Sequence, residues 1–95
     1  MEAERTIDST YEVDSAVASR VVDGETVIVD LGSETYFGLN RVGSVIWEEL
    51  QRGAPVSEIV TAVTSRFDVS TEQAQTDVRA LIRDLEAAGL LRRPA

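Results

Sequence analysis

The chain has 95 residues, of which 43% are hydrophobic and 27% charged, as is ordinary for one small globular domain. Its nine arginines and 17 acidic residues give a net charge of −8, and it contains no histidine, cysteine or lysine. These absences exclude Cys/His zinc sites, disulfides, Ser-His-Asp catalysis and lysine chemistry. Acid–base work by carboxylates, or Mg²⁺ held by Asp and Glu, remains compatible with the composition. We therefore expect a binding module with no cofactor and no catalytic residues, rather than an enzyme.

The first 15 residues show no hydrophobic period and are predicted to form a flexible acidic arm. The acidic start at residues 1–4 has the wrong sign for a signal peptide. No segment approaches the roughly 18 consecutive apolar residues that a membrane span needs. We expect a cytoplasmic protein without a membrane partner.

Three segments with a strand-like pattern follow the arm, at residues 16–22, 26–31 and 35–39. Asp23-Gly24 separates the first two, and an Asp-Gly pair between apolar runs is a strong signal for a tight hairpin. Residues 32–34 form the second turn. The pattern predicts a three-stranded antiparallel meander.

The apolar spacing then becomes helical, and three helices are predicted. Asn40 is a favourable N-cap for the first helix, Gly53 is a natural stop, and Pro55 opens the second. The break after Phe67 ends the second helix.

Ser70 and Gln73 have the spacing of a capping box at the start of the third helix, in which the Gln73 side chain reaches back, and Gly89 ends that helix. The predicted fold is α+β, with a three-stranded antiparallel sheet followed by three helices on one of its faces. Residues 16–91 form the domain and residues 92–95 a C-terminal tail.

The strand at residues 35–39 lies at one edge of the predicted sheet. Edge strands present unpaired N–H and C=O groups, and Gly38 permits close approach of another backbone. A guest peptide could therefore add as a fourth strand. An ordinary protected edge is the commoner explanation of such a strand, so the residues alone leave both interpretations open.

The third helix carries a wide apolar stripe. Its middle leucines, Leu81 and Leu85, are interpreted as core residues. Val78 and Ile82 are equally consistent with the core and with an apolar rim beside the edge strand.

Other candidate side chains give weaker signals. Phe37 and Trp47 are interpreted mainly as core aromatics, and Tyr36 is left open. The acidic pairs Glu48–Glu49 and Asp84–Glu86 are interpreted as solvated helix faces rather than as a metal or acid–base site.

Residues 55–91 are also typical of a helix-turn-helix followed by a wing, which raises DNA binding as an alternative. Arg79 and Arg83 lie on the third helix, but four acidic residues share it, and DNA-binding domains are usually basic. The acidic balance therefore favours another use of such a scaffold, without a nucleic-acid partner.

The stretch of residues 34–40, followed by Gly43 and Ile46-Trp47, is similar to a motif of the PqqD-like family, the leader-recognition domains of ribosomally made, post-translationally modified peptides. The later Asp77-Val78 and Gly89-Leu90-Leu91 fit that family's second pattern. The resemblance spans about residues 16–91 and implies a winged helix-turn-helix-like fold. It also implies that a leader peptide adds to the third strand, in a cleft against the third helix.

The resemblance implies binding contacts rather than catalytic residues. These peptide-binding contacts are Thr35, Tyr36, Phe37 and Gly38 on the strand and Asp77, Val78, Leu81, Ile82 and Leu85 on the helix.

Within the family, the chain resembles the free-standing leader-binding protein of lasso-peptide biosynthesis, which delivers a precursor to a separate leader peptidase. It also resembles PqqD itself, which serves a radical enzyme in cofactor synthesis. The expected partners are thus a leader peptide and a separate leader peptidase or other modifying enzyme.

Overall fold

The computed structural model describes residues 9–94, so residues 1–8 of the predicted arm and Ala95 lie outside the described residues. The elements in chain order are the strands and helices β1 (Glu12–Val13), β2 (Val17–Val22), β3 (Glu25–Asp30), β4 (Thr35–Leu39), α1 (Arg41–Gln51), α2 (Val56–Arg66), α3 (Thr71–Ala87) and β5 (Leu91–Arg92). Strands β2, β3 and β4 form an antiparallel sheet in that order, and β1 pairs with β5. The predicted α+β, winged helix-turn-helix-like fold is confirmed.

Two turns set the register of the three-stranded sheet. Asp23 and Gly24 have φ of 54° and 81°, the left-handed values that a two-residue hairpin between twisted strands requires. In the second turn, the Asp30 carboxylate accepts a hydrogen bond from the Gly32 N–H at 3.0 Å. The Glu34 N–H donates to the Asp30 carbonyl at 2.7 Å. These bonds place β4 beside β3, with Asp30 opposite Thr35.

Side chains cap the first and third helices. Asn40 Oδ1 accepts from the Gly43 N–H at 2.8 Å, and Ser70 Oγ accepts from the Gln73 N–H at 3.0 Å. The predicted capping box is only half formed, because Gln73 Nε2 donates forward to Asp77 Oδ1 at 2.9 Å. The forward bond follows the i,i+4 spacing that makes two side chains neighbours on a helix.

The core lies between the helices and the inner face of the three-stranded sheet. Helix α1 is central, because it packs against β3, β4, α2 and α3. Trp47 is 2% exposed, which confirms it as a core aromatic. The other large apolar side chains that are almost fully buried are Ile28, Ile46, Leu50, Ile59, Val63, Val78 and Leu85. Among residues 9–94, no helix has both the length and the apolar character needed to cross a membrane.

Residues 9–15 of the predicted flexible arm are part of the folded domain, which corrects that expectation for this stretch. Tyr11 is 8% exposed and belongs to the core. Glu12 lies opposite Arg92, so the predicted 92–95 tail begins inside β5. Strands of two residues leave no period in a sequence, which is why the pattern did not reveal this pairing.

Candidate peptide-binding site

A groove of about 480 Å³ separates β4 from α3, and α1 forms its floor. The residues that line it are Phe37, Gly38, Leu39 and Asn40 from β4 and its junction with α1, Val42, Gly43 and Ile46 from α1, and Asp77, Ala80, Leu81 and Asp84 from α3. The groove is therefore a trough with a strand on one side and a helix on the other.

Strand β4 is an edge strand of the three-stranded sheet. It pairs with β3 from Thr35, opposite Asp30, to Leu39, opposite Thr26. No other strand among residues 9–94 pairs with it. Its second edge therefore offers main-chain N–H and C=O groups to an additional strand at the groove.

The floor of the groove depends on close approach between α1 and the end of β4. A Cβ built on the buried Gly43 would lie 3.2 Å from Leu39 Cβ and 3.4 Å from Asn40 Oδ1. The Asn40 cap fixes the same junction, since its side chain holds the Gly43 N–H. Glycine at this position lets α1 sit directly below the edge strand.

The α3 wall combines apolar and acidic groups. Leu81 is half-buried and packs against the core, whereas Ala80 is exposed. Asp77 and Asp84 stand seven residues apart, which is about 10 Å along a helix. Asp77 accepts a hydrogen bond from Gln73 Nε2, and Asp84 is exposed. The wall thus presents two apolar residues, Ala80 and Leu81, between two carboxylates.

The structure brings four of the predicted site residues together around the groove, namely Phe37, Gly38, Asp77 and Leu81. Thr35 and Tyr36 also lie on β4 but do not line the groove. Tyr36 is 75% exposed, on the strand position that alternates with Phe37.

Three predicted contacts on α3 do not reach the groove surface. Val78 and Leu85 are completely buried, so they support the wall from behind. Ile82 is 5% exposed and lines a different cavity, with Arg79 and Arg83. Consecutive helical residues point about 100° apart, so Leu81 and Ile82 lie on different flanks of α3.

Seven lining residues were not among the predicted contacts, namely Leu39, Asn40, Val42, Gly43, Ile46, Ala80 and Asp84. Asn40 was predicted as a helix cap, and Gly43 and Ile46 were noted as parts of the family motif. A helix that directly follows an edge strand nevertheless packs near the end of that strand. Asp84 was interpreted as part of a solvated face. Asp84 follows Asp77 by seven residues, or about two helical turns, and this spacing could have indicated that both carboxylates lie on the same flank of α3.

A second hollow, of about 360 Å³, lies on the other side of α1, against β2 and β3. Trp47 lines it, and its buried Nε1 has no hydrogen-bond partner among the described residues. Thr26 Oγ1 donates to Ser44 Oγ at 2.7 Å, and the guanidinium-bearing Arg41 and Arg66 also line this hollow. Within residues 9–94, no three acidic side chains converge in a way that could hold a metal ion.

Comparisons with known proteins agree with this architecture. Residues 25–91 match the family described as PqqD, coenzyme PQQ synthesis protein D. The solved structure of TbiB1 in complex with the TbiA(beta) leader peptide has 37% sequence identity and a TM-score of 0.81, covering 88% of this chain and 98% of that one.

The structure of lasso peptide synthetase B1 complexed with the leader peptide has the same fold, with a TM-score of 0.77 at 23% identity over 85% of this chain and 95% of that one. No curated protein matches the sequence. The family match covers most of the chain and agrees with the fold, so the chain belongs to the PqqD family.

Proposed function

We propose that the chain is a non-catalytic peptide chaperone that binds the leader of a ribosomally made precursor peptide. The leader adds as a strand to β4, and the chain delivers it in the cytoplasm to a modifying enzyme, the leader peptidase of a lasso-peptide pathway. The observation that carries this proposal is the unpaired edge of β4, which forms one side of the groove opposite α3.

The chemistry of the groove suits a peptide in extended conformation. Main-chain hydrogen bonds to β4 supply affinity, while side chains that alternate along the guest strand supply specificity. Phe37 and Leu81 offer apolar contacts on opposite sides of the trough. The Asn40 cap and the close approach at Gly43 hold the floor in place before the peptide arrives, which lowers the entropic cost of binding.

The relatives support the same function. TbiB1 was solved with a leader peptide and shares 37% identity with this chain. The match to PqqD over residues 25–91 keeps a second candidate, a leader-binding partner of a radical enzyme. Both candidates use the same groove and differ in the enzyme that receives the peptide.

The first experiment measures binding of fluorescein-labelled leaders by fluorescence polarisation. The probes are the leader of the precursor encoded beside this gene and the TbiA(beta) leader. We expect saturable binding, weakened about tenfold by Leu81→Ala, since about 1.4 kcal/mol of lost contact is a factor of ten. Leu31→Ala is the matched control, because Leu31 is 64% exposed and lies in a turn away from the groove.

Circular dichroism would verify that both variants fold. Binding of neither leader by the wild-type chain would contradict the proposed function. A folded Leu81→Ala chain with wild-type affinity would place the peptide somewhere other than this groove.

Amide hydrogen exchange on the wild-type chain tests strand addition without any substitution. In an antiparallel or parallel pair, every second residue of a strand directs its N–H toward a given neighbour. We therefore expect the leader to protect alternate amides of β4 between Thr35 and Leu39. Protection confined to other elements would contradict strand addition.

A further inference from the structure

The charges around the groove are strongly one-sided. Asp77 and Asp84 both line it, and none of the described arginines does. The two arginines of α3, Arg79 and Arg83, line the hollows on other flanks of that helix. Helix α3 therefore presents its carboxylates to the groove and its guanidinium groups elsewhere.

Neither carboxylate is neutralised by an ion pair in the described part of the chain. Asp77 accepts a hydrogen bond from a neutral amide, that of Gln73. The ion pairs present elsewhere use other acids: Arg52 with Glu49, Arg66 with Glu48, and Arg92 with Glu12 and Asp14. Both groove carboxylates are thus available to a cation brought by a ligand.

The distance between the Asp77 and Asp84 carboxylates determines how far apart two cations on a bound strand must be. Seven helical residues cover about 10 Å, a distance that a strand covers in about three residues. Side chains on one face of a strand recur at every second residue. A guest strand that follows the groove therefore meets both carboxylates with side chains that lie on one face of the strand and are two or four residues apart.

We propose that the leader bound by this chain carries two cationic side chains, lysine or arginine, two or four residues apart, and that Asp77 and Asp84 bind them. This inference rests on the proposed leader-binding function and specifies the substrate class of the same groove. The apolar surface of Leu81 lies between the two carboxylates along α3. When the two cations are four residues apart, the leader residue midway between them also faces the helix and is therefore apolar.

The expected effect per carboxylate is modest. Exposed ion pairs contribute little, and charge-assisted hydrogen bonds that lose part of their water contribute more. We expect neutralising either carboxylate to weaken binding about three- to tenfold at low salt, with a smaller effect at high salt because ions screen the attraction.

The test is a double-mutant cycle measured by fluorescence polarisation at about 50 mM and 300 mM NaCl, which differ in screening length. The probes are the leader encoded beside this gene and a copy in which every Lys and Arg is replaced by Gln. The chains are wild type, Asp77→Asn, Asp84→Asn and, as matched control, Glu86→Gln, whose carboxylate lies on the opposite flank of α3. Asn at position 77 keeps an acceptor oxygen for Gln73, so we expect the fold to be retained.

The inference is supported if both Asn variants lose affinity for the native leader but not for the Gln copy, while Glu86→Gln behaves as wild type. It is overturned if both Asn variants bind the native leader as tightly as wild type, and leader binding itself then still stands. A wild-type chain that binds neither probe would overturn the proposed function together with this inference.

Discussion

The two hollows on either side of α1 differ in what they offer a ligand. The groove between β4 and α3 exposes an unpaired strand edge together with Asp77 and Asp84. The hollow against β2 and β3 is lined by strands that are paired with each other, so side chains dominate its surface. Its charged lining includes Arg41 and Arg66.

This difference shows where main-chain recognition is available. A guest strand needs a free row of N–H and C=O groups. Both outer strands, β2 and β4, have an unpaired edge among the described residues, but only β4 lines the groove against α3. Helix α1 is the common wall, so it transmits packing defects to both sides. We therefore expect substitutions on the β4–α3 side of α1 to weaken leader binding, and substitutions on the β2–β3 side to lower stability without changing leader binding.

The largest expected effect is a loss of folding stability of the whole domain. Leu85 is completely buried behind the groove wall of α3, and Leu85→Ala should lower the free energy of unfolding by about 2–5 kcal/mol through lost contacts and a residual cavity. Urea denaturation followed by circular dichroism measures the loss. A decrease below about 1 kcal/mol would mean that α3 can repack around the smaller side chain.

Ser44→Ala tests the second hollow, which Ser44 and Thr26 both line. It removes the acceptor of the Thr26 hydroxyl, and Thr26 is 1% exposed, so the loss of stability should be about 1–3 kcal/mol. Thr26→Val removes the donor itself and keeps the shape, so it should cost less. Both variants should bind the leader normally while folded. Equal losses of stability for the two variants would contradict the expectation that an unpaired buried Thr26 hydroxyl costs more than its removal.

The two helix caps provide a matched pair. Asn40→Ala and Ser70→Ala should each cost about 1 kcal/mol, because each removes a side-chain acceptor for an N-terminal N–H group. Only Asn40 lines the groove, so only its substitution should also weaken leader binding. Thermal melts and fluorescence polarisation on the same samples separate the two effects. Equal affinity for both variants would show that the cap at β4 does not shape the site.

The smallest effect is expected at the β1–β5 pair. Arg92 Nε lies 3.5 Å from Glu12 Oε1, and Arg92 Nη1 lies 3.6 Å from Asp14 Oδ2. The Arg92 side chain is 57% exposed. Arg92→Gln should change stability by no more than about 1 kcal/mol, since exposed ion pairs contribute little and salt screens them. Leader affinity should not change. A larger loss that persists at high salt would indicate that the Arg92 side chain contributes by packing rather than by charge.

Most of the fold was predictable because its signals are local. Asp23-Gly24 defined the hairpin, Asn40 and Ser70 marked helix starts, and Gly89 marked an end. Each of these residues satisfies a backbone requirement within its own turn. The β1–β5 pairing was not predictable, because it joins residues far apart in the chain through strands of only two residues.

The sequence predicted which strand and which helix form the candidate site, but not which of their side chains line it. The edge strand and the third helix were both identified, and the groove does lie between them. The stripe on α3 is wide enough to serve the core and two flanks, so periodicity alone does not distinguish Leu81 from Ile82. That distinction depends on how α3 is rotated about its axis, which packing against α1 and α2 determines.

The pairing of β1 with β5 also has a topological consequence. Glu12 and Arg92 are neighbours across a strand pair, so the polypeptide enters and leaves the folded unit at adjacent points. A domain with adjacent ends is suited to insertion into a surface loop of a larger protein as a cassette. No residue of β1 or β5 lines the β4–α3 groove, so a fusion through these ends would not place its junction in the groove. Under the proposed function, fusion to a processing enzyme would raise the effective concentration of bound peptide at the enzyme's active site.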